Sequence, residues 1–136
     1  VESGAKLLAG GESTYEQGWF VKPTVFGGAT NDMVIAQEEI FGPVATIISF
    51  KDEDEAVEVA NGTVYGLGAT IWTSDVKRAH RLAKRVRAGA VGVNCWAPID
   101  ARLPWGGVKQ SGIGRECGLA GVLAYTEEKV VTVVTD

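Results

Sequence analysis

Metal-binding and cross-linking residues are scarce in this chain. Its 136 residues include two cysteines, Cys95 and Cys117, and one histidine, His80. That is too few ligands for a zinc-type centre and too few thiols for a disulfide framework. No metal is therefore expected, and a reduced, cytoplasmic setting is. No apolar run approaches the roughly 18 residues of a membrane-spanning helix. Basic residues are outnumbered, 13 Lys and Arg against 17 Asp and Glu, for a net charge of −4 at pH 7. A mildly acidic chain is a poor electrostatic match to nucleic acid or anionic lipid, so neither is an expected partner. The first residues, Val1-Glu2-Ser3-Gly4, carry no initiator methionine, no basic stretch and no apolar stretch. They do not read as a signal peptide, and the chain is expected to be processed or to be a piece of something longer.

What is present is ordinary in bulk. Hydrophobic residues are 46% and charged residues 22%, as in soluble globular proteins, and the length suits one domain. Glycine is the exception at 18 residues, near double the usual share of roughly 7%. It gathers at turns and over residues 106–121.

The chain divides by pattern. Ala5 to Ala9 is a short apolar run closed by Gly10-Gly11. Phe20 to Phe26 reads as a strand interrupted by Pro23, which places it at a sheet edge. Residues 31–43 read as irregular or a short helix, stopped by Gly42-Pro43. Val44 to Phe50 is apolar and β-branched, a buried strand. Asp52 and Glu55 form an acidic variant of the capping box, opening a helix that Asn61-Gly62 ends. Leu67 to Trp72 is the next strand. Thr73, Ser74 and Asp75 offer N-caps for a helix through Arg87, closed by Gly89, and Ala90 to Asn94 is a third strand. This β-α-β-α-β order predicts one parallel sheet with right-handed crossovers. Residues 95–116 show little periodicity, and long loops of that kind are usually functional. Lys129 to Thr135 is strongly β-prone and, left bare, would be a sticky edge.

No stretch is a complete nucleotide loop. Gly107 to Gly112 has the phosphate-loop spacing, but Ile113 stands where that loop needs lysine. Gly112-Ile113-Gly114 reaches Cys117 where the dinucleotide fingerprint needs a third glycine, and no strand precedes it. Cys95 follows a strand with no obvious base nearby and reads first as packing. His80 lies among Lys77, Arg78, Arg81, Lys84 and Arg85 on a solvated helix face.

Two stretches are more specific. Gln37-Glu38-Glu39-Ile40-Phe41-Gly42-Pro43-Val44 is one. The other is Val93-Asn94-Cys95-Trp96 followed by Pro104-Trp105-Gly106-Gly107-Val108-Lys109-Gln110-Ser111-Gly112-Ile113-Gly114-Arg115-Glu116. In order and spacing both resemble the NAD(P)-dependent aldehyde dehydrogenase superfamily, and the resemblance runs over essentially the whole chain. It covers the last quarter to third of such an enzyme. The implied fold is α/β: a partial parallel sheet with flanking helices, the C-terminal part of the catalytic domain over residues 1–125, plus an oligomerisation strand over 126–136. The implied assembly is a homo-oligomer, dimer or tetramer.

The resemblance also implies roles. Such enzymes attack an aldehyde with a cysteine thiolate, pass hydride to NAD or NADP, and hydrolyse the thioester with glutamate-activated water. The nucleophile, that glutamate and the cofactor loop lie upstream of the matched part, so this segment alone is expected to be inactive. Glu39 matches the glutamate that holds the nicotinamide ribose hydroxyls, and Phe41 the aromatic near the nicotinamide ring. Glu116 matches a second glutamate of the catalytic domain, a catalytic candidate. Trp96, Ile99 and Trp105, with Cys95 beside them, match positions lining the substrate tunnel. Trp96 with Pro104-Trp105-Gly106-Gly107 resembles the betaine aldehyde dehydrogenase branch, since aromatic faces hold a quaternary ammonium. Plainer readings stand beside these: Glu39 as a surface carboxylate, Phe41 as a core aromatic, Glu116 paired with Arg115, the tryptophans as packing. The rival from another class is a non-catalytic assembly module that pairs through Lys129 to Thr135.

Overall fold

The computed structural model describes residues 4–13, 15–96 and 100–136. The chain forms two units, one up to Thr63 and one from Val64. Both are mixed α/β.

The first unit is a three-stranded sheet with two helices. Strand β1 (Lys6–Ala9) pairs antiparallel with β2 (Thr24–Gly27), and β2 pairs parallel with β3 (Val44–Thr46). Leu7 faces Phe26 while Ala9 faces Val25, so a bulge lies between them. A four-residue helix, α1 (Val34–Gln37), joins β2 to β3, and α2 (Glu53–Asn61) follows. The acidic cap forms as the spacing predicts. Asp52 accepts the Glu55 amide at 2.9 Å, and the Glu55 carboxylate accepts the Lys51 amide at 2.7 Å. One orphan amide of the helix start and the amide just ahead of the cap are thereby satisfied.

The second unit holds β4 (Gly68–Ile71), α3 (Val76–Arg85) and β5 (Ala90–Val93), a parallel β-α-β in which Ile71 faces Val93. A 3-10 turn at Lys109–Ser111 and a short helix, α4 (Gly118–Leu123), complete it. Asp75 caps α3, accepting the amides of Lys77 at 2.8 Å and Arg78 at 3.1 Å. Lys84 and Arg85 occupy its last turn, complementing the negative end of the helix dipole. Ala79 is the buried residue of this helix, and His80 is exposed. Among the described residues no helix is long and apolar enough to cross a membrane.

Three expectations are corrected. The single β-α-β-α-β sheet is two sheets: β3 belongs with β1 and β2, and β4 pairs with β5. Element order predicts crossovers, but which strands bond is decided by register across the fold. The strand around Pro23 begins after it, at Thr24, and lies at the centre of its sheet rather than at an edge. Pro23 therefore removes no ladder donor. Helix α3 stops at Arg85, with Val86 as its C-cap, ahead of Arg87 and Gly89. Residues 126–136 carry no ladder within this chain, and Val130, Val131, Val133 and Val134 are exposed. β-propensity describes a side chain's fit to a pleated surface, and a strand still requires a hydrogen-bonded neighbour.

Burial is slight. Among the described residues the buried apolar side chains are Ala5, Ala29, Val57 and Ala79, and Thr24 is the buried polar one. The accessible surface is 10737 Å². The elements are thus held by caps and ladders more than by a core. Asp75→Ala is expected to cost about 1 kcal/mol and to speed amide exchange through the first turns of α3; unchanged exchange there would show that the cap is dispensable.

Candidate functional site

In the first unit the segment after α1 is pinned at both ends. The Gln37 side-chain amide donates to the Gly62 carbonyl at 2.8 Å and also to the Asn31 carbonyl, and Asn31 Nδ2 donates to the same Gly62 oxygen at 3.0 Å. Thr46 Oγ1 donates to the Ile35 carbonyl at 3.2 Å. Beyond the segment, Val44 N bonds the Gly42 carbonyl and Thr24 N the Pro43 carbonyl, each at 2.8 Å. Between these ties Glu39, Ile40 and Phe41 stand exposed. Phe41 is 89% exposed and adopts φ 52°. A bulky residue in the left-handed region is a genuine outlier. Such strain persists only where the surroundings impose it, and it collects at ligand clamps. The exposure rules out Phe41 as a core aromatic within this chain. Glu39 and Phe41 together line an open hollow of about 400 Å³, with Ile35, Glu38, Ile40 and Thr46.

The second unit hangs its long loop on one residue. Gly66 is buried, and its carbonyl accepts the amides of Gly89 and Val108, both at 3.0 Å, while its own amide donates to Ser111 Oγ at 2.9 Å. The approach to β4, the approach to β5 and the 105–111 loop meet there. A Cβ at Gly66 would lie 2.7 Å from the Arg87 carbonyl oxygen and 2.8 Å from Val108 Cγ2. The loop then closes on itself: Trp105 N donates to the Glu116 carbonyl at 2.8 Å and Glu116 N to the Trp105 carbonyl at 2.7 Å. Residues that exchange both bonds in this way are directly opposed, with side chains on one side. Arg115 Nη1 donates to the carbonyls of Gly107 at 2.8 Å and Gly114 at 2.7 Å, bracing the loop from within.

Trp105 and Glu116 are thus brought together, and they line an open hollow of about 890 Å³ with Leu67, Gly107, Cys117 and Tyr125. Trp105 is half-buried and Glu116 exposed. Cys95 and Trp96 follow β5 and are not among the residues lining that hollow; Cys95 is half-buried and Trp96 is 79% exposed. Ile99 lies outside the described residues. Left-handed backbone recurs at Asn94, φ 53°, and Cys117, φ 58°. Each adjoins a candidate site residue, Cys95 in one case and Glu116 in the other. Among the described residues no three of His, Cys, Asp and Glu gather as a metal site requires. An exposed carboxylate beside an aromatic face suits a diol-bearing heterocycle, and an aromatic beside a carboxylate suits a polar or cationic organic group.

Sequence reasoning missed Gly66 and gave Gln37 no role. The signal for Gly66 was a glycine abutting an apolar strand, where close backbone approach is expected. Gln37 opens the first motif, but its partners lie six and twenty-five residues away.

Known proteins resemble this chain closely. Residues 1–131 match the aldehyde dehydrogenase family. A putative aldehyde dehydrogenase of Bacillus subtilis is 51% identical, over 97% of this chain and 27% of its own length. The betaine aldehyde dehydrogenase of the same organism is 46% identical, over 96% and 28% respectively. The NAD+ complex of an aldehyde dehydrogenase from Bacillus cereus superposes with a TM-score of 0.88 at 48% identity, covering 93% of this chain and 26% of that one. The chain spans about a quarter of the length of these relatives.

Two measurements check the geometry. Gly66→Ala is expected to cost about 1–3 kcal/mol, as overpacking against backbone does, seen as a lowered denaturation midpoint; an unchanged midpoint would show that the junction gives freely. At the start of the second unit's loop, Arg102 donates to Asp100 through its guanidinium, Nη2 to Oδ2 at 2.6 Å, and through its amide at 2.9 Å. The guanidinium bond, then the amide bond, hold the Asp100 carboxyl below its ordinary 3.8. A depressed carboxyl adds stability at neutral pH that is lost as pH falls through the folded-state value. Carbonyl NMR should find Asp100 titrating below 3.8, and rising towards that value in Arg102→Gln.

Proposed function

The chain belongs to the aldehyde dehydrogenase family, and on that premise we propose that it is the catalytic-domain segment of an enzyme oxidising an aldehyde to a carboxylate with NAD or NADP. The observation that carries the reading is Phe41, exposed and strained beside Glu39. Packing within the chain does not account for a displayed aromatic at positive φ, and this supports a flat ligand ring as its partner.

The residues take these parts. Glu39 accepts hydrogen bonds from a ribose diol, the pairing for which a carboxylate with four lone-pair sites is suited. Phe41 offers its face to the nicotinamide ring. The bound dinucleotide supplies the hydride acceptor. Trp105, with Cys95, Trp96 and Ile99, forms the wall met by the aldehyde, and Glu116, opposed to Trp105, holds or moves a proton at its carboxylate. A quaternary ammonium aldehyde is the finer substrate assignment. It is supported by two tryptophans able to hold a cation and by 46% identity to a betaine aldehyde dehydrogenase. The thiolate and the water-activating glutamate come from residues other than these, so the chain alone turns over no aldehyde. Coverage of about a quarter of the relatives' length supports this. Residues 126–136 act as the oligomerisation strand of a dimer or tetramer, supported by four exposed valines in a β-prone run. The same valines favour the rival reading of a non-catalytic assembly module.

Calorimetry separates the two readings. In the full-length polypeptide carrying these residues, Glu39→Gln should weaken NAD+ binding by roughly tenfold to a hundredfold, the worth of a hydrogen bond to a charged group. Unchanged affinity and turnover would remove Glu39 from the cofactor grip and favour the assembly module. Aldehyde oxidation by the 136-residue chain itself, at a rate like that of an intact enzyme, would overturn the claim of inactivity.

A further inference from the structure

We infer that Asn94 is a positioning residue for the substrate wall, replacing the main chain at the end of the β4–β5 ladder with its own side-chain amide. The ladder is evenly spaced. Ala90 N bonds the Leu67 carbonyl at 3.1 Å and Asn94 N bonds the Ile71 carbonyl at 2.9 Å. Continued by the parallel rule, the next bond would run from Thr73 N to the carbonyl of Asn94. It does not. Asn94 turns left-handed at φ 53°, the main chain leaves the sheet, and Thr73 N bonds Asn94 Oδ1 at 2.9 Å instead. Asn94 Nδ2 returns a bond to the Thr73 carbonyl at 2.8 Å. The amide thus pairs with Thr73 in both directions, taking the bond that the main-chain carbonyl gives up and returning a second.

The residue type follows from these demands. A planar group carrying one donor and one acceptor is needed, which aspartate at neutral pH cannot supply. The left-handed turn is tolerated by asparagine better than by most residues. Thr73 is held on its other side as well, its Oγ1 accepting the Asp75 amide at 3.1 Å, next to the cap of α3. The turn is therefore fixed to the start of α3 and the end of β4 together. Its product is the direction in which Cys95 and Trp96 leave the sheet. This inference rests on the proposed role of those two residues as substrate wall.

The test uses Asn94→Gly, which keeps the turn and deletes the amide, and Asn94→Asp, which keeps the acceptor and deletes the donor. In the full-length polypeptide, kcat/KM is measured for acetaldehyde, benzaldehyde and betaine aldehyde, with NAD+ affinity measured by calorimetry. Both variants should lose on the order of tenfold or more for the larger aldehydes relative to acetaldehyde, since small misplacement of a positioning group is costly, while NAD+ affinity stays within about twofold. An unchanged ranking of the aldehydes, or an equal loss across all three together with weaker NAD+ binding, would overturn the inference. If the unaltered polypeptide oxidises no aldehyde, the proposed function and the substrate-wall role fall together. Hydrogen exchange in the 136-residue chain tests the bridge by itself: faster exchange of the Thr73 amide in Asn94→Gly supports it, and equal exchange overturns it.

Discussion

The carbonyl of Gly66 accepts two amides, and its own amide is taken by Ser111. On that junction the second unit depends. The three bonds gather the lead-in to β4, the lead-in to β5 and the glycine-rich loop at one buried point. They are made almost wholly by main chain, so the placement of Trp105 and Glu116 owes little to the volume of neighbouring side chains. A backbone junction has its own vulnerability, because it excludes even a methyl group. Loop and sheet approach closely there only because one residue lacks a Cβ.

The same economy marks the whole chain. With so few apolar residues buried, local bonds carry the secondary structure: acidic caps on α2 and α3, a Gln37 clamp across α1, short parallel ladders. Large apolar groups stay on the surface, Trp19 at 99% exposure among them. Apolar surface on this scale is typical of faces that meet other protein. The candidate site follows the pattern, with Phe41, Trp96 and Glu116 all displayed rather than enclosed.

The candidate site residues were named from motifs, and the structure tests only which of them lie together. Glu39 and Phe41 stood in one motif, Trp105 and Glu116 in another, and the structure seats each pair on one hollow. The strand cores, the two capped helices and the short α1 were likewise legible from β-branched runs and from Asp52 and Asp75. The division into two sheets was not, because β3 and β4 look alike as apolar runs and differ only in which strand they bond. Nor was the neighbour of residues 126–136, since four valines announce a strand without naming what it pairs with. Gly66 passed as one glycine among eighteen.

By itself the sequence determined the chemistry on offer: carboxylates and aromatics at set spacings, and helix starts where aspartates cap amides. Tertiary structure decided what those groups face. Capping and periodicity act over three or four residues and are written locally, whereas the bonds of Gly66 to Ser111, of Gln37 to Gly62 and of Asn94 to Thr73 join residues far apart in the chain. Only folding brings such partners within 3 Å.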